Sequence, residues 1–243
     1  MIQRVVVFLA ISFPFLFASQ GFSQERLTDS SARKELVSNL YHYYFNQIGE
    51  NARLFNGSEY IRNGQRAIGF PFFESNDMLT GFVSYKTVIY PELSLYYDLV
   101  ADELIIRNYS RNAFIVLSKE KVDSFSMKGH IFLRLASVKT NGELMGDGYY
   151  DRLTADDPGV YVKRFKKLVL PDSGDPKYVQ YNTYYLKMKD TFYLVDGRKT
   201  LFNLLKDDQD LLKKFIRSNK LSFKKRFEEA LVRTTTYYAQ LKH

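Results

Sequence analysis

Between Met78 and Val195 the chain falls into short runs of Val, Ile, Tyr and Phe, broken by polar residues and glycine. Most of these runs are closely spaced, and no helical pattern intervenes between them. Parallel strands need connections of a dozen or more residues, so neighbouring runs must pair antiparallel. The pattern predicts strands over 79–85, 86–90, 94–100, 103–108, 113–118, 121–126, 130–137, 159–168, 181–188 and 191–195. Lys189-Asp190 supplies a tight connection between the last two, and Asp196-Gly197 reads as a further hairpin turn. Residues 139–158 and 171–180, rich in Gly, Asp and Pro, read as the long loops.

On either side of this region the period changes to that of a helix. Leu36, Leu40, Tyr44 and Ile48 recur every four residues, with Asp29 or Ser30 able to cap the start. After Val195 a short helix is expected over Thr200–Leu205. A second runs over Leu211–Ser218, capped by Asp207 or Asp208, and a third over about Phe223–Leu241. The fold class is therefore α+β and mainly β: a curved antiparallel sheet or open barrel, with an N-terminal helix and a C-terminal helical pair. The helical lead-in is assigned to 24–50, the β region to 55–198 and the helical end to 200–243.

Residues 1–23 carry Arg4, an apolar run over 5–17 and then Gly21 and Ser23, which together read as an export signal cleaved before Gln24. That run is shorter than the roughly 20 residues of a membrane span. No later segment is as apolar, so no transmembrane span is expected after signal removal. The chain has no cysteine, which excludes disulfides and a lipid-modified cysteine at the cleavage point. Residues 24–243 then form a single exported domain, periplasmic or secreted. The formal charge of +8 points to anionic partners such as acidic glycans, lipopolysaccharide or membrane surfaces rather than nucleic acid.

The order LFNGSEYI, GFPFF, LYYDLVADELII, GHIFLRL, with the later aromatic hairpin YYLKMKDTFYLVDGRK and the helical LLKKFIRSNKLSFKKRFEEALVRTTTYY, resembles a family of uncharacterised exported proteins widespread in Bacteroidota. The resemblance covers nearly all of the exported part. It implies localisation and architecture, and it transfers no activity, cofactor or catalytic residue.

Candidate chemistry is sparse. Of the three histidines, His130 opens a strand beside the Lys128-Gly129 turn, with Ser124 and Ser126 nearby, but no GxSxG elbow surrounds a serine. The simplest expectation for His130 is a strand-edge imidazole bonded to backbone. The histidine spacing does not suit zinc. Glu143, Asp147, Asp151, Asp156 and Asp157 do not follow the order of a calcium loop, and solvated turn residues are expected there. Asp102 and Glu103 read as a solvated turn, whereas Asp98 sits mid-strand and would need a partner if buried.

Adjacent tyrosines in a strand point to opposite faces, so one of Tyr96/Tyr97 and one of Tyr184/Tyr185 should be exposed or half-exposed. Exposed rings can stack on sugars or anchor a partner. Seven basic residues lie between Lys213 and Arg226, and Lys163, Arg164, Lys166 and Lys167 form a second cluster. If the two share a side they make an anion-binding surface.

The binding candidates are thus Tyr96, Asp98, His130, Tyr149, Tyr184, Lys163 and Arg164, with no catalytic residue, metal or cofactor assigned. The expected function is a non-enzymatic binding or structural protein of the cell envelope, meeting an envelope protein or anionic glycan. The alternative is a carboxylate-dependent hydrolase of envelope or environmental polysaccharide.

Overall fold

A computed structural model describes Leu54 and residues 56–62, 66–108, 112–136, 138–140 and 144–242, all within one compact unit, Leu40–His243. The helix expected over 30–48 and the export signal lie outside the described residues.

Eleven strands form one open sheet. In chain order they are β1 (Ser58–Glu59), β2 (Leu79–Tyr85), β3 (Val88–Asp98), β4 (Glu103–Asn108), β5 (Ala113–Val116), β6 (Val122–Met127) and β7 (His130–Leu135). A separate two-stranded ladder of β8 (Val138–Lys139) and β9 (Leu144–Met145) follows. Then come β10 (Gly148–Arg152), β11 (Gly159–Val169), β12 (Lys177–Met188) and β13 (Thr191–Leu194). The sheet order is β1-β5-β4-β3-β2-β6-β7-β10-β11-β12-β13, so β1 and β13 are its edges. Every neighbouring pair in it is antiparallel, as short connections require of the hairpins.

Three departures from the expected strands have local causes. The runs 86–90 and 94–100 are one strand, β3, and the break between them is a bulge. Gly81 faces Leu93 and Val83 faces Tyr90, so Pro91 and Glu92 together oppose Phe82. Pro91 has no N–H to give a ladder, and a bulge is where such a residue fits. Residues 139–158 are not one loop, because β10 lies inside them and joins β7 to β11. Its sequence, GYYDR, does not alternate between apolar and polar because both of its faces are covered: Gly148 to Asp151 are all buried. Likewise β12 begins at Lys177, inside the second expected loop.

The hairpin turns follow the sequence where two residues must turn in place. Lys128 and Gly129 have φ of 49° and 80° between β6 and β7, and Lys189 has φ of 54° between β12 and β13. Asp196-Gly197 does not make the expected turn. Gly197 is extended and precedes helix α1 (Arg198–Leu204), and the Thr200 hydroxyl bonds back to Asp196. Helix α2 (Gln209–Ser218) starts after Asp208, whose side chain does not cap it. Asp207 and Asp208 instead pair with Lys242 near the end of helix α3 (Phe227–Lys242), at 3.2 and 3.0 Å.

The sheet is strongly curled. The N–H of Lys166 in β11 donates to the carbonyl of Leu99 just past β3, at 2.9 Å. A strap over residues 68–73 spans the same gap: Leu99 N–H donates to Pro71, and Tyr178 N–H donates to Ile68. Lys166 Nζ fastens that strap through the carbonyls of Phe70 and Phe72, at 3.1 and 2.5 Å. One apolar cluster, including Val83, Leu95, Tyr97, Leu104, Phe125 and Phe132, joins β2 to β7. A second packs β11–β13 against the helices through Val160, Leu186, Leu201, Leu212 and Leu231. Each fully buried side chain of this size contributes about 1.5–3 kcal/mol.

Candidate functional site

The β3–β4 hairpin positions the acids. Asp98 ends β3 and is only 5% exposed. Its Oδ1 accepts the N–H groups of Val100 (2.8 Å) and Ala101 (3.1 Å), the Asx arrangement that shapes a turn. Its Oδ2 accepts the Tyr60 hydroxyl at 2.8 Å. Both oxygens are therefore engaged. Glu103 is its direct cross-strand neighbour. Burial, and then the charge of Asp98, raise the pKa of Glu103 from its ordinary value.

Asp98 and Glu103 border a polar cleft of about 590 Å³, completed by Tyr60, Arg62, Arg66 and Tyr178. Arg62 is held by Asn76 Oδ1 at 2.5 Å and lies over the Phe72 ring, 5.4 Å from its centroid. Tyr96 also stacks on Phe72, with ring centroids 4.1 Å apart, and its hydroxyl donates to the Asn76 carbonyl. Tyr96 is thus half-buried, as expected, but its ring face is taken by Phe72.

The expectation of a solvated Asp102 is overturned. This residue takes φ of 59° in the turn and reaches Lys163 (2.7 Å), Lys119 (3.0 Å) and the Tyr97 hydroxyl (2.7 Å). Gly148 makes the meeting possible, because a Cβ there would lie 2.4 Å from both Asp102 Oδ2 and Lys163 Nζ. Burial lowers the pKa of Lys163, with Asp102 opposing the shift.

A third polar group crosses the centre of the sheet. His130 Nδ1 is 2.7 Å from Asp151 Oδ2, and Arg164 Nε donates to the same oxygen at 2.7 Å. The other nitrogens of Arg164 grip both Glu228 oxygens at 3.0 and 2.9 Å, and the Tyr184 hydroxyl donates to Glu228 at 3.2 Å. The register explains the grouping: Phe132 faces Asp151, Asp151 faces Val162, and Val162 faces Tyr184, so their even-spaced neighbours share a face.

This corrects two expectations. Asp151 has no exposed surface and is not a turn residue. His130 is bound to a carboxylate rather than to backbone, and that bond raises its pKa against the opposing effect of burial. Among the described residues no hydroxyl bonds to His130, so the pair is a histidine–carboxylate contact without a nucleophile.

The candidates therefore scatter. His130, Arg164 and Tyr184 fall into one network. Asp98 and Tyr96 sit by the cleft, and Lys163 belongs to the Asp102 cluster. Tyr149 is fully buried among Tyr97 and Phe125 and offers no platform. The second basic cluster does not join the first as a free surface, because Lys163, Arg164 and Lys166 all point to internal acceptors.

Sequence reasoning passed over Glu228, Tyr60, Arg62 and Arg66, and it read Asp151 as a solvated turn residue. The signal for Asp151 was a lone acid following two tyrosines, which reads equally well as a turn. Arg62 and Arg66 sit in irregular backbone with no period to read. Among the described residues no group of three His, Asp or Glu side chains is placed to hold a metal ion, and no helix is long and apolar enough to cross a membrane.

Fold and site together define a mainly antiparallel β domain with C-terminal helices and a polar cleft at the end of its β3–β4 hairpin. No protein-family model matches the chain, and neither a curated protein nor a solved structure is significantly similar to it.

Proposed function

We propose that the protein is an exported, non-enzymatic binding protein of the cell envelope whose ligand occupies the cleft beside the β3–β4 hairpin. The observation that carries this reading is the state of Asp98. With both oxygens hydrogen-bonded and 5% exposure, it shapes the turn and the wall of the cleft. Two tyrosines and two arginines then face the same space. Tyrosine rings suit sugar faces, and guanidinium forks suit carboxylates, so an acidic glycan is the ligand class that fits. Export rests on residues 1–23, and the likeness to the exported Bacteroidota family points the same way.

The alternative is a polysaccharide hydrolase, favoured by one observation: Glu103 borders the cleft with a raised pKa, as a general acid requires. Asp98 is not a free second carboxylate, and the other acid lining the cleft is the exposed Glu59. Calorimetry with acidic and neutral oligosaccharides separates the readings. Binding of the acidic set, lost in Arg62→Ala/Arg66→Ala and without release of reducing ends, is expected. Release of reducing ends that Glu103→Gln abolishes would replace the binding reading with the hydrolase. Export is tested separately by locating the protein in fractionated cells and sequencing its N-terminus, which should begin at Gln24.

A further inference from the structure

The turn from α2 into α3 carries a long basic run. From Lys213 to Arg226, seven of fourteen residues are Lys or Arg and none is Asp or Glu. All seven are exposed. Two are neutralised at the margins, Lys213 by Asp210 and Arg226 by Glu229. Glu228, the nearest other acid, is held inward by Arg164. The remaining five, Lys214, Arg217, Lys220, Lys224 and Lys225, have no carboxylate partner among the described residues.

This corner is packed onto the second core. Leu212 and Ile216 anchor α2 in the second core, and Phe215 stacks on Tyr237 of α3 at 4.1 Å and 4°. Arg233 of α3 donates to Asn219 at the end of α2, at 2.7 Å. Five like charges held this way repel one another unless an anionic surface lies opposite. The kind of surface is indicated by charge complementarity, because an array of exposed cations fits the array of phosphates on an anionic bilayer. Leu211, though 46% exposed, adjoins the 97% exposed side chain of Asp210 and stands outside the basic run. Single-stranded nucleic acid would call for free aromatic faces. Here Phe215 is covered by Tyr237, and Phe223 meets Phe227 edge-on.

We infer that the α2–α3 corner is a peripheral docking surface for the phosphate headgroups of an anionic lipid bilayer. This surface is separate from the cleft and does not depend on what the cleft binds.

The test is co-sedimentation of the full chain with phosphatidylcholine vesicles, with and without phosphatidylglycerol. The apolar 5–17 segment can itself adsorb to lipid, so the readout is the ratio of partitioning between the two vesicle types. Each basic residue near an anionic bilayer strengthens partitioning about fivefold. Lys214→Gln/Lys220→Gln/Lys224→Gln/Lys225→Gln should therefore lower the ratio by about a hundredfold or more. The exposed pair Lys86→Gln/Lys177→Gln, elsewhere on the sheet, should leave it within about twofold. Circular dichroism confirms that both variants are folded. A ratio near one for the unaltered chain overturns the inference. So does equal loss in both variants, or tighter binding to a single-stranded oligonucleotide than to the anionic vesicles.

Discussion

His130 and Asp151 share a hydrogen bond of 2.7 Å whose carboxylate end has no exposed surface. In an unfolded chain the imidazole titrates near ~6.5. In the folded chain the bond to Asp151 raises that value. A raised folded pKa means that the proton favours the folded state. Its contribution is complete below about 6.5 and is lost as pH climbs through the raised folded value. Urea midpoints should fall across that window, and His130→Gln should flatten the fall. An identical slope in the variant would show that His130 does not titrate with folding.

Arg164 joins the sheet to α3 by holding Asp151 and Glu228 at once. Arg164→Met leaves a carboxylate buried without its counter-charge, and such a change costs about 3–5 kcal/mol. Arg164→Lys should recover little, because one ammonium cannot reproduce a planar fork reaching two acids. Denaturant unfolding measures both. Full recovery by lysine would mean that charge alone matters at this position.

Gly148→Ala places a methyl group where Asp102 and Lys163 meet. The expected cost is about 1–3 kcal/mol, the usual range for overpacking. The pKa of Lys163 should fall further, since burial lowers it and Asp102 is the main opposing influence. NMR titration of the Lys163 side chain reads this directly, and an unmoved pKa would show that the pair re-forms around the methyl.

Asp98→Asn keeps an acceptor for the turn N–H groups while removing the charge beside Glu103. The pKa of Glu103 should drop, though not to its ordinary value, because burial is the larger cause of its elevation. Carboxyl NMR titration of the variant checks the direction, and a rise would contradict the assignment of causes.

The fold was legible wherever a pattern was local. The hairpin at Lys128-Gly129 and the C-terminal helices follow from turn chemistry and period. β10 was hidden because Tyr149 and Tyr150 are buried on opposite faces, in different apolar clusters, so the alternation that marks a half-exposed strand is absent. The site was less legible than the fold. Asp98 could be singled out as a mid-strand acid needing a partner, but that partner, Tyr60, is 38 residues away. Asp102 could not be told from a solvated turn residue, since nothing near it in the chain announces Lys163.

The sequence by itself determined the antiparallel pairing, the helical end, the absence of disulfides and the basic run between Lys213 and Arg226, because each depends on residues close together or on composition. Only the tertiary structure decided which charges are free. Arg164 and Lys166 read alike from sequence with Lys214 and Lys220, yet the curl of the sheet turns the first two toward internal acceptors and leaves the others exposed. Charge is a property of a residue, whereas its availability depends on what the fold brings within hydrogen-bonding distance.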